Sequence, residues 1–420
     1  MGVVVLSTSG SLGDLLPFLA VAGGLRDRGH QVRLALPTEF RDVAHAEGFD
    51  DVVPAGWEIS PSTLAALNVD WSKAGGLILL RRAMTELVLP KLEAAYQALS
   101  DAAEGADLVV GHANQVMAPL VAEQTGVRWA VLSLFPMLVP TTRGLPGTPI
   151  PQLPGPLRRA GNIAAMGIFT LGSRALFSDR AFNTFRAAHG FGPRHAYFLT
   201  CAFDSDLYLA PVPPEFVDRP SDWPANAQLS GFCTAGLSTA AVPPEVEDFL
   251  VNGDPPILVT FGSAPSSTSA DRFAAIAAVL DRRGLRGLFL VGREDLIAGP
   301  LRDRAGVATF APLAEVLPRC RAAIHAGGYG TTAEDLRAGV PSVVIPFMSD
   351  QLWYARRTAA IGAGVVLPWR RHRHLDQVID RVLAPDMLST AQRLGATFQA
   401  QDGVATTCDA LEGLLDTARR

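Results

Sequence analysis

The chain has 420 residues, of which 48% are hydrophobic and 18% charged, with 36 Lys+Arg against 41 Asp+Glu and a formal net charge of −5. That length suits two domains rather than one, and the apolar content excludes a disordered chain. The mildly acidic balance carries no overall electrostatic footprint for nucleic acid, so no nucleic-acid partner is expected.

In chain order, Val3–Ser7 is a short β-branched run of the kind found in a strand buried on both faces. The small-residue loop Thr8–Asp14 follows, then a helical pattern from Leu15 to Arg28 that stops at Gly29, then a strand at Gln31–Leu36. This is a βαβ unit, whose parallel strands need a crossover. Asp107–Gly111, Trp129–Leu134 and Leu207–Ala210 read as further strands, with a helix at Ala118–Thr125. Prolines crowd the stretch from Pro211 to Pro256, which reads as a connector with short strand pieces. A second series then begins. Ile257–Phe261, Gly287–Val291, Ala308–Phe310, Ala322–His325 and Ser342–Pro346 are predicted strands. Asp271–Arg283, Thr331 to about Gly339, and Leu352–Ile361 are predicted helices.

The pattern predicts an α/β chain of two doubly wound halves, each opening as strand, Gly/Ser loop, helix. Their boundaries are an N-terminal domain at 1–212, a linker at 213–228, a C-terminal domain at 229–390, and C-terminal helices at 391–420 that cross back to the first domain. Doubly wound sheets bind ligands at the carboxyl ends of their strands, which places the expected site in a cleft between the halves. The N-terminus lacks the basic start and apolar region of a signal peptide, and no apolar run reaches the roughly 18–20 residues of a spanning helix. Cys201, Cys233, Cys320 and Cys408 are far apart and form no C-x-x-C pair, so reduced thiols and a cytoplasmic location are expected.

Three stretches carry candidate chemistry. In His325-Ala326-Gly327-Gly328-Tyr329-Gly330-Thr331-Thr332 the glycines let backbone N–H groups approach an anion, and the following helix start favours phosphate. No lysine follows, so this is not a P-loop. A plain strand–helix turn with a Thr331–Glu334 capping box explains the same residues without a ligand. Asp350-Gln351, after a strand end, suit the hydroxyls of a sugar, or Asp350 is an ordinary N-cap. Asp14 ends the first loop and is either a general base or another N-cap. His112 and Asn114 also end a predicted strand, but a lone histidine there reads as core.

Several of these residues recur together in a known pattern. Phe310-Ala311-Pro312, His325–Thr332, Ala338–Pro341 and Pro346…Asp350-Gln351 resemble the donor-binding signature of family 1 glycosyltransferases of the GT-B fold. Gly10–Pro17 resembles the acceptor-side loop, and Ile257–Ser263 the start of the second domain. The branch it resembles includes bacterial antibiotic/macrolide, sterol and rhamnolipid-type enzymes.

The resemblance implies two facing Rossmann-like domains. It implies an inverting, metal-independent transfer of a hexose or deoxyhexose from a UDP- or dTDP-sugar, which is a co-substrate, with no cofactor. His325 would contact the α-phosphate, with Gly328, Gly330, Thr331 and Ser263 on the diphosphate. Phe310, Ala311 and Leu313 would border the base, and Asp350 and Gln351 the sugar. Asp14 would be the catalytic base, standing where many relatives have histidine and with no dyad partner located. Phe310 stands where the plant branch has a tryptophan.

Apolar residues from Leu134 to Phe177, among them Phe135, Met137, Ile163, Ile168, Phe169 and Leu171, suit a hydrophobic acceptor such as a polyketide; a sterol or glycolipid is the alternative. The cluster Arg370–His374 reads as a solvated turn, with peripheral contact to anionic lipid as its alternative. Two readings outside this class are a nicotinamide or flavin oxidoreductase built on a Rossmann sheet, for which the first loop lacks G-x-G-x-x-G, and a non-catalytic relative.

Overall fold

The computed structural model describes residues 1–56, 81–139, 141, 157–234, 241–262, 269–293, 296, 305–347 and 349–418. The chain divides into two compact units, one of residues 1–237 with 402–420 and the other of residues 238–401.

The first unit is built on β1 (Val3–Ser7), β2 (Gln31–Leu36), β3 (Val52–Pro54), β4 (Leu108–Gly111), β5 (Arg128–Leu132), β6 (Leu207–Ala210) and β7 (Ala227–Leu229). They form one sheet in the order β3-β2-β1-β4-β5-β6-β7, and every pairing is parallel. The second unit holds β8 (Ile257–Thr260), β9 (Gly287–Leu290), β10 (Gly306–Ala308), β11 (Ala322–His325), β12 (Ser342–Val344) and β13 (Gly364–Val366). Their order is β10-β9-β8-β11-β12-β13, again all parallel. Parallel strands are covered on both faces, which is why β4, β6, β8, β9 and β11 are buried along their whole length.

Three of these strands escaped the sequence reading. β3, β7 and β13 have three residues each, too few to show a period, and β7 lies in the proline-rich stretch. The expected linker at 213–228 therefore needs correction, because Ala227 opens β7 and completes the first sheet. β10 ends at Ala308, so Phe310 lies beyond the strand rather than in it.

The chain's last helix, Gly403–Ala418, belongs to the first unit, whereas the helix Pro385–Gln399 stays with the second. Cys408, Leu411 and Leu415 join the core formed by Val4, Leu6, Phe18 and Leu25. Glycines set the approach. A Cβ on Gly24 would stand 2.8 Å from Val404 Cγ1 and 2.9 Å from Cys408 Sγ, and one on Gly403 would stand 2.5 Å from both Gly231 C and Phe232 O. Arg28 clamps the outer edge on Asp409 (2.6 Å) and Glu412 (2.7 Å). Because backbone cannot retreat as a side-chain tip can, Gly403→Ala is expected to destabilise the first unit by about 1–3 kcal/mol, read as a lower denaturation midpoint. An unchanged midpoint would show that the helix start is loosely held.

All four cysteines are buried and free, and burial pushes each thiol up to about 12. Among the described residues no helix is long and apolar enough to cross a membrane.

Candidate active site

In a doubly wound sheet the strand order reverses at one point, and the crevice at the carboxyl ends opens there. In the first sheet that point lies between β1 and β4. The loops that follow these two strands are tied together. His112 N–H donates to Ser7 O at 3.0 Å, Gln115 Nε2 to Ser7 Oγ at 2.7 Å, and Asn114 Nδ2 to Ser9 O at 2.8 Å.

Asp14 is half-buried in this cluster. The helix Leu12–Asp27 starts three residues earlier than expected, with Ser11 as its N-cap. The reading of Asp14 as an N-cap is thus corrected. It is the third helical residue, and its Oδ2 accepts the Ser11 N–H (2.7 Å) and the Ser11 hydroxyl (2.8 Å), the reciprocal half of a capping box. Oδ1 takes no part in these bonds. Gly10, at φ +132°, is required beneath the carboxylate, since a Cβ there would lie 2.5 Å from Asp14 Oδ2.

His112 is fully buried, with its ring 4.9 Å from that of Phe135 in an edge contact and 6.0 Å from that of Phe18. Its Nδ1 accepts the Asn114 N–H at 3.2 Å, so the ring proton sits on Nε2, which has no hydrogen-bond partner among the described residues. Burial holds His112 below the ordinary imidazole range, opposed by the Asp14 charge and by Asn114. With one nitrogen occupied and the other protonated, His112 is a poor proton acceptor. Asp14 is the group here that can take a proton.

Of the expected acceptor residues, Phe135 is half-buried in this same cluster. The side chains of Met137 and Phe169 lie outside the described residues, as does the stretch 142–156. Leu134 and Val139 are buried in the core, whereas Ile163, Ile168 and Leu171 stand exposed on the helix Leu157–Leu176.

In the second sheet the order reverses between β8 and β11. β11 ends on His325, and the glycine turn follows directly. Its glycines divide the work. Gly327 has φ +89°, and a Cβ there would lie 2.6 Å from Val344 Cγ1 and 3.0 Å from Gln351 O, so it is packed against β12 and the next helix. Gly328 and Gly330 have nothing within 4 Å of where a Cβ would stand, so their backbone faces open space. The helix Tyr329–Ala338 begins two residues before the expected Thr331, with Gly328 as its N-cap. The Thr331–Glu334 capping box is therefore not formed, because Thr331 is already the third helical residue. The first helix bond runs from Thr332 N to Gly328 O at 3.0 Å, so the amides of Gly330 and Thr331 precede it.

His325 is fully buried. Its Nδ1 accepts the Gly327 N–H at 3.1 Å, and its Nε2 lies 3.5 Å from Asp335 Oδ2. Both ring nitrogens face protein groups, so the ring serves the turn rather than presenting a nitrogen outward. Asp350 and Gln351 are half-buried in the first turn of the helix Ser349–Ala360, after β12, so Asp350 is not the N-cap. Gln351 Oε1 accepts the Phe347 N–H at 2.8 Å. Phe310 is 54% exposed after β10, with Ala311 buried and Leu313 half-buried beside it. Ser263 lies outside the described residues. The described donor-side residues thus follow the carboxyl ends of strands of one sheet, and the short helix Leu313–Val316 that follows Phe310 packs against the helix Tyr329–Ala338. Among the described residues no group of three His, Cys, Asp or Glu could hold a metal ion.

The chain is similar to known proteins over nearly its whole length. Residues 292–404 match the family described as Erythromycin biosynthesis protein CIII-like, C-terminal domain, and residues 4–50 the Glycosyltransferase family 28 N-terminal domain. The chain is 28% identical to O-mycaminosyltylonolide 6-deoxyallosyltransferase of Streptomyces fradiae, over 99% of this chain and 98% of that one. It is 30% identical to an uncharacterized glycosyltransferase of Mycobacterium bovis, over 99% of both. Among solved structures, the glycotransferase of kitacinnamycin is similar with a TM-score of 0.72 at 19% identity, covering 99% of both chains. Spinosyn rhamnosyltransferase SpnG complexed with thymidine diphosphate is similar with a TM-score of 0.65 at 20% identity, covering 98% of this chain and 100% of that one. The oxidoreductase alternative falls away: the chain is a glycosyltransferase of the antibiotic type and belongs to the family 1 glycosyltransferases of the GT-B fold.

Proposed function

We propose that this enzyme moves a hexose or deoxyhexose from a UDP- or dTDP-sugar to a hydroxyl of a lipophilic natural-product acceptor, with inversion at the anomeric carbon. The observation that carries the reading is the glycine turn at the reversal point of the second sheet, where Gly328 and Gly330 leave their backbone open at a helix start. Such an end favours an anion through its unbonded amides and its dipole. Phe310, exposed beyond the end of β10, is left for the base. Asp350 and Gln351, next to Gly327, are left for the sugar hydroxyls. The structure of spinosyn rhamnosyltransferase SpnG complexed with thymidine diphosphate supports a dTDP-type donor by analogy.

In the proposed step, the Asp14 carboxylate takes the proton of the acceptor hydroxyl. The oxygen forms its bond to the anomeric carbon, and the bond from that carbon to the β-phosphate oxygen breaks. The electron pair leaves with the nucleoside diphosphate. The amides of Gly330 and Thr331 meet the growing charge, so the scheme calls on no metal. A sterol or glycolipid acceptor is a second reading, favoured by the exposed Ile163, Ile168 and Leu171.

Calorimetry with dTDP and UDP, followed by a mass-spectrometric screen of their sugars against macrolide, polyketide, sterol and lipid acceptors, tests the proposal. We expect one diphosphate to bind and a product of opposite anomeric configuration to the donor. A product that keeps the donor's configuration would refute the mechanism, and binding of neither diphosphate would refute the donor site.

A further inference from the structure

We infer that Asp335 is a positioning residue for the glycine turn, holding His325 in the one ring state that can accept the Gly327 N–H. The inference rests on reading this turn as the seat of the donor's diphosphate. Asp335 lies on the helix Tyr329–Ala338, which folds back over the strand it follows, so Thr332, Asp335 and Leu336 form its buried face. Asp335 and His325 are both fully buried, with Oδ2 3.5 Å from Nε2. Two buried polar groups, His325 and Ser342, face the Asp335 carboxylate and favour its charged form, and Thr332 Oγ1 on the same helix has no hydrogen-bond partner among the described residues. A buried carboxylate is costly without a partner. Burial pushes Asp335 upward, and His325 is the main group opposing that push.

The ring has two neutral forms. Because Gly327 N–H donates to Nδ1 at 3.1 Å, the ring proton belongs on Nε2, facing Asp335. The other form would set Nδ1–H against Gly327 N–H, donor against donor. Gly327 is held at φ +89° with no room for a Cβ, so the turn cannot shift aside to relieve that clash. The acidic partner behind the ring therefore fixes the form of the ring, the ring fixes the Gly327 amide, and the amide fixes the start of the helix. This places Asp335 outside any contact with substrate, acting through His325.

The test begins with the unaltered enzyme, labelled with ¹⁵N-histidine, the His325 signals being assigned by their loss in His325→Gln. Long-range proton–nitrogen spectra are expected to show His325 protonated on Nε2 and bare on Nδ1. In Asp335→Ala the His325 nitrogens should move toward a mixture of forms, and dTDP or UDP affinity should fall about tenfold. Asp335→Asn, whose amide oxygen can still accept from Nε2–H, should restore most of both. A wild-type His325 protonated on Nδ1 would overturn the inference. So would an Asp335→Ala protein with unchanged His325 signals and unchanged diphosphate affinity. If the alanine variant does not fold, the wild-type spectrum and Asp335→Asn decide. If the wild-type enzyme binds neither diphosphate, the donor reading fails, while the spectra still settle what Asp335 does to His325.

Discussion

Asp14→Asn is expected to lower turnover by about 10²–10⁴-fold, the usual worth of a positioned general base, while leaving nucleotide-diphosphate affinity unchanged. Two roles of Asp14 have to be separated. Its Oδ2 caps a helix by accepting the Ser11 N–H at 2.7 Å, and the carboxylate as a whole is the proton acceptor of the proposed step. Asparagine keeps an oxygen for Ser11 N–H and loses only the basicity. Even complete loss of a cap costs only about 1 kcal/mol, so the variant should melt close to wild type. Asp14→Ala removes both roles and should lose stability as well. Unchanged turnover in the asparagine variant would take Asp14 out of the chemistry and leave it as a cap. His112 cannot stand in for it. Its Nδ1 is held by Asn114 N–H at 3.2 Å and its Nε2 already carries the proton. A residual rate that survives in Asp14→Asn but vanishes in Asp14→Asn/His112→Gln would contradict that assignment.

The sequence made the long features legible and hid the short and the non-local ones. Val3–Ser7, Leu207–Ala210 and Ala322–His325 fell where the buried apolar runs placed them, because a strand covered on both faces needs an unbroken run. Helix starts slipped by two or three residues. The helices open at Ser11, Gly328 and Ser349, upstream of Asp14, Thr331 and Asp350, which are equally good cap residue types. The parts of the donor signature follow β10, β11 and β12, strands of one sheet, so sequence order places them along one edge. His112, read as a core histidine, and Asp335, which was missed, escaped notice as partners for a different reason. Each gains its meaning from a partner on another element, Asp14 across the β1–β4 reversal and His325 across a strand–helix turn. Nothing in the spacing of residues reveals which strand will lie beside β1.

The glycine turn supplies the sharpest pair of expected outcomes, because neighbouring glycines should fail in opposite ways. Gly327→Ala is expected to damage the fold. The residue sits at φ +89°, where a side chain costs about 1–3 kcal/mol. Its Cβ would also stand 2.6 Å from Val344 Cγ1 and 3.0 Å from Gln351 O, an overpacking of about 1–3 kcal/mol more. The unfolding midpoint should drop, and nucleotide binding should go with it. Gly330→Val should do the reverse. Gly330 is helical, a Cβ there would meet nothing within 4 Å, and valine is a better helix former than glycine. Folding should be unharmed or slightly improved. The valine would nevertheless stand over the amides that precede the first helix bond, where the leaving diphosphate is proposed to rest. Loss of one charge-assisted bond there is worth about 1.5–3 kcal/mol, so dTDP or UDP affinity should fall about 10–100-fold. Melting curves and calorimetry on the two variants separate a residue that shapes the turn from one that leaves room for a ligand. A Gly330→Val enzyme that binds its diphosphate as tightly as wild type would mean that the open face of this turn is not where the anion sits.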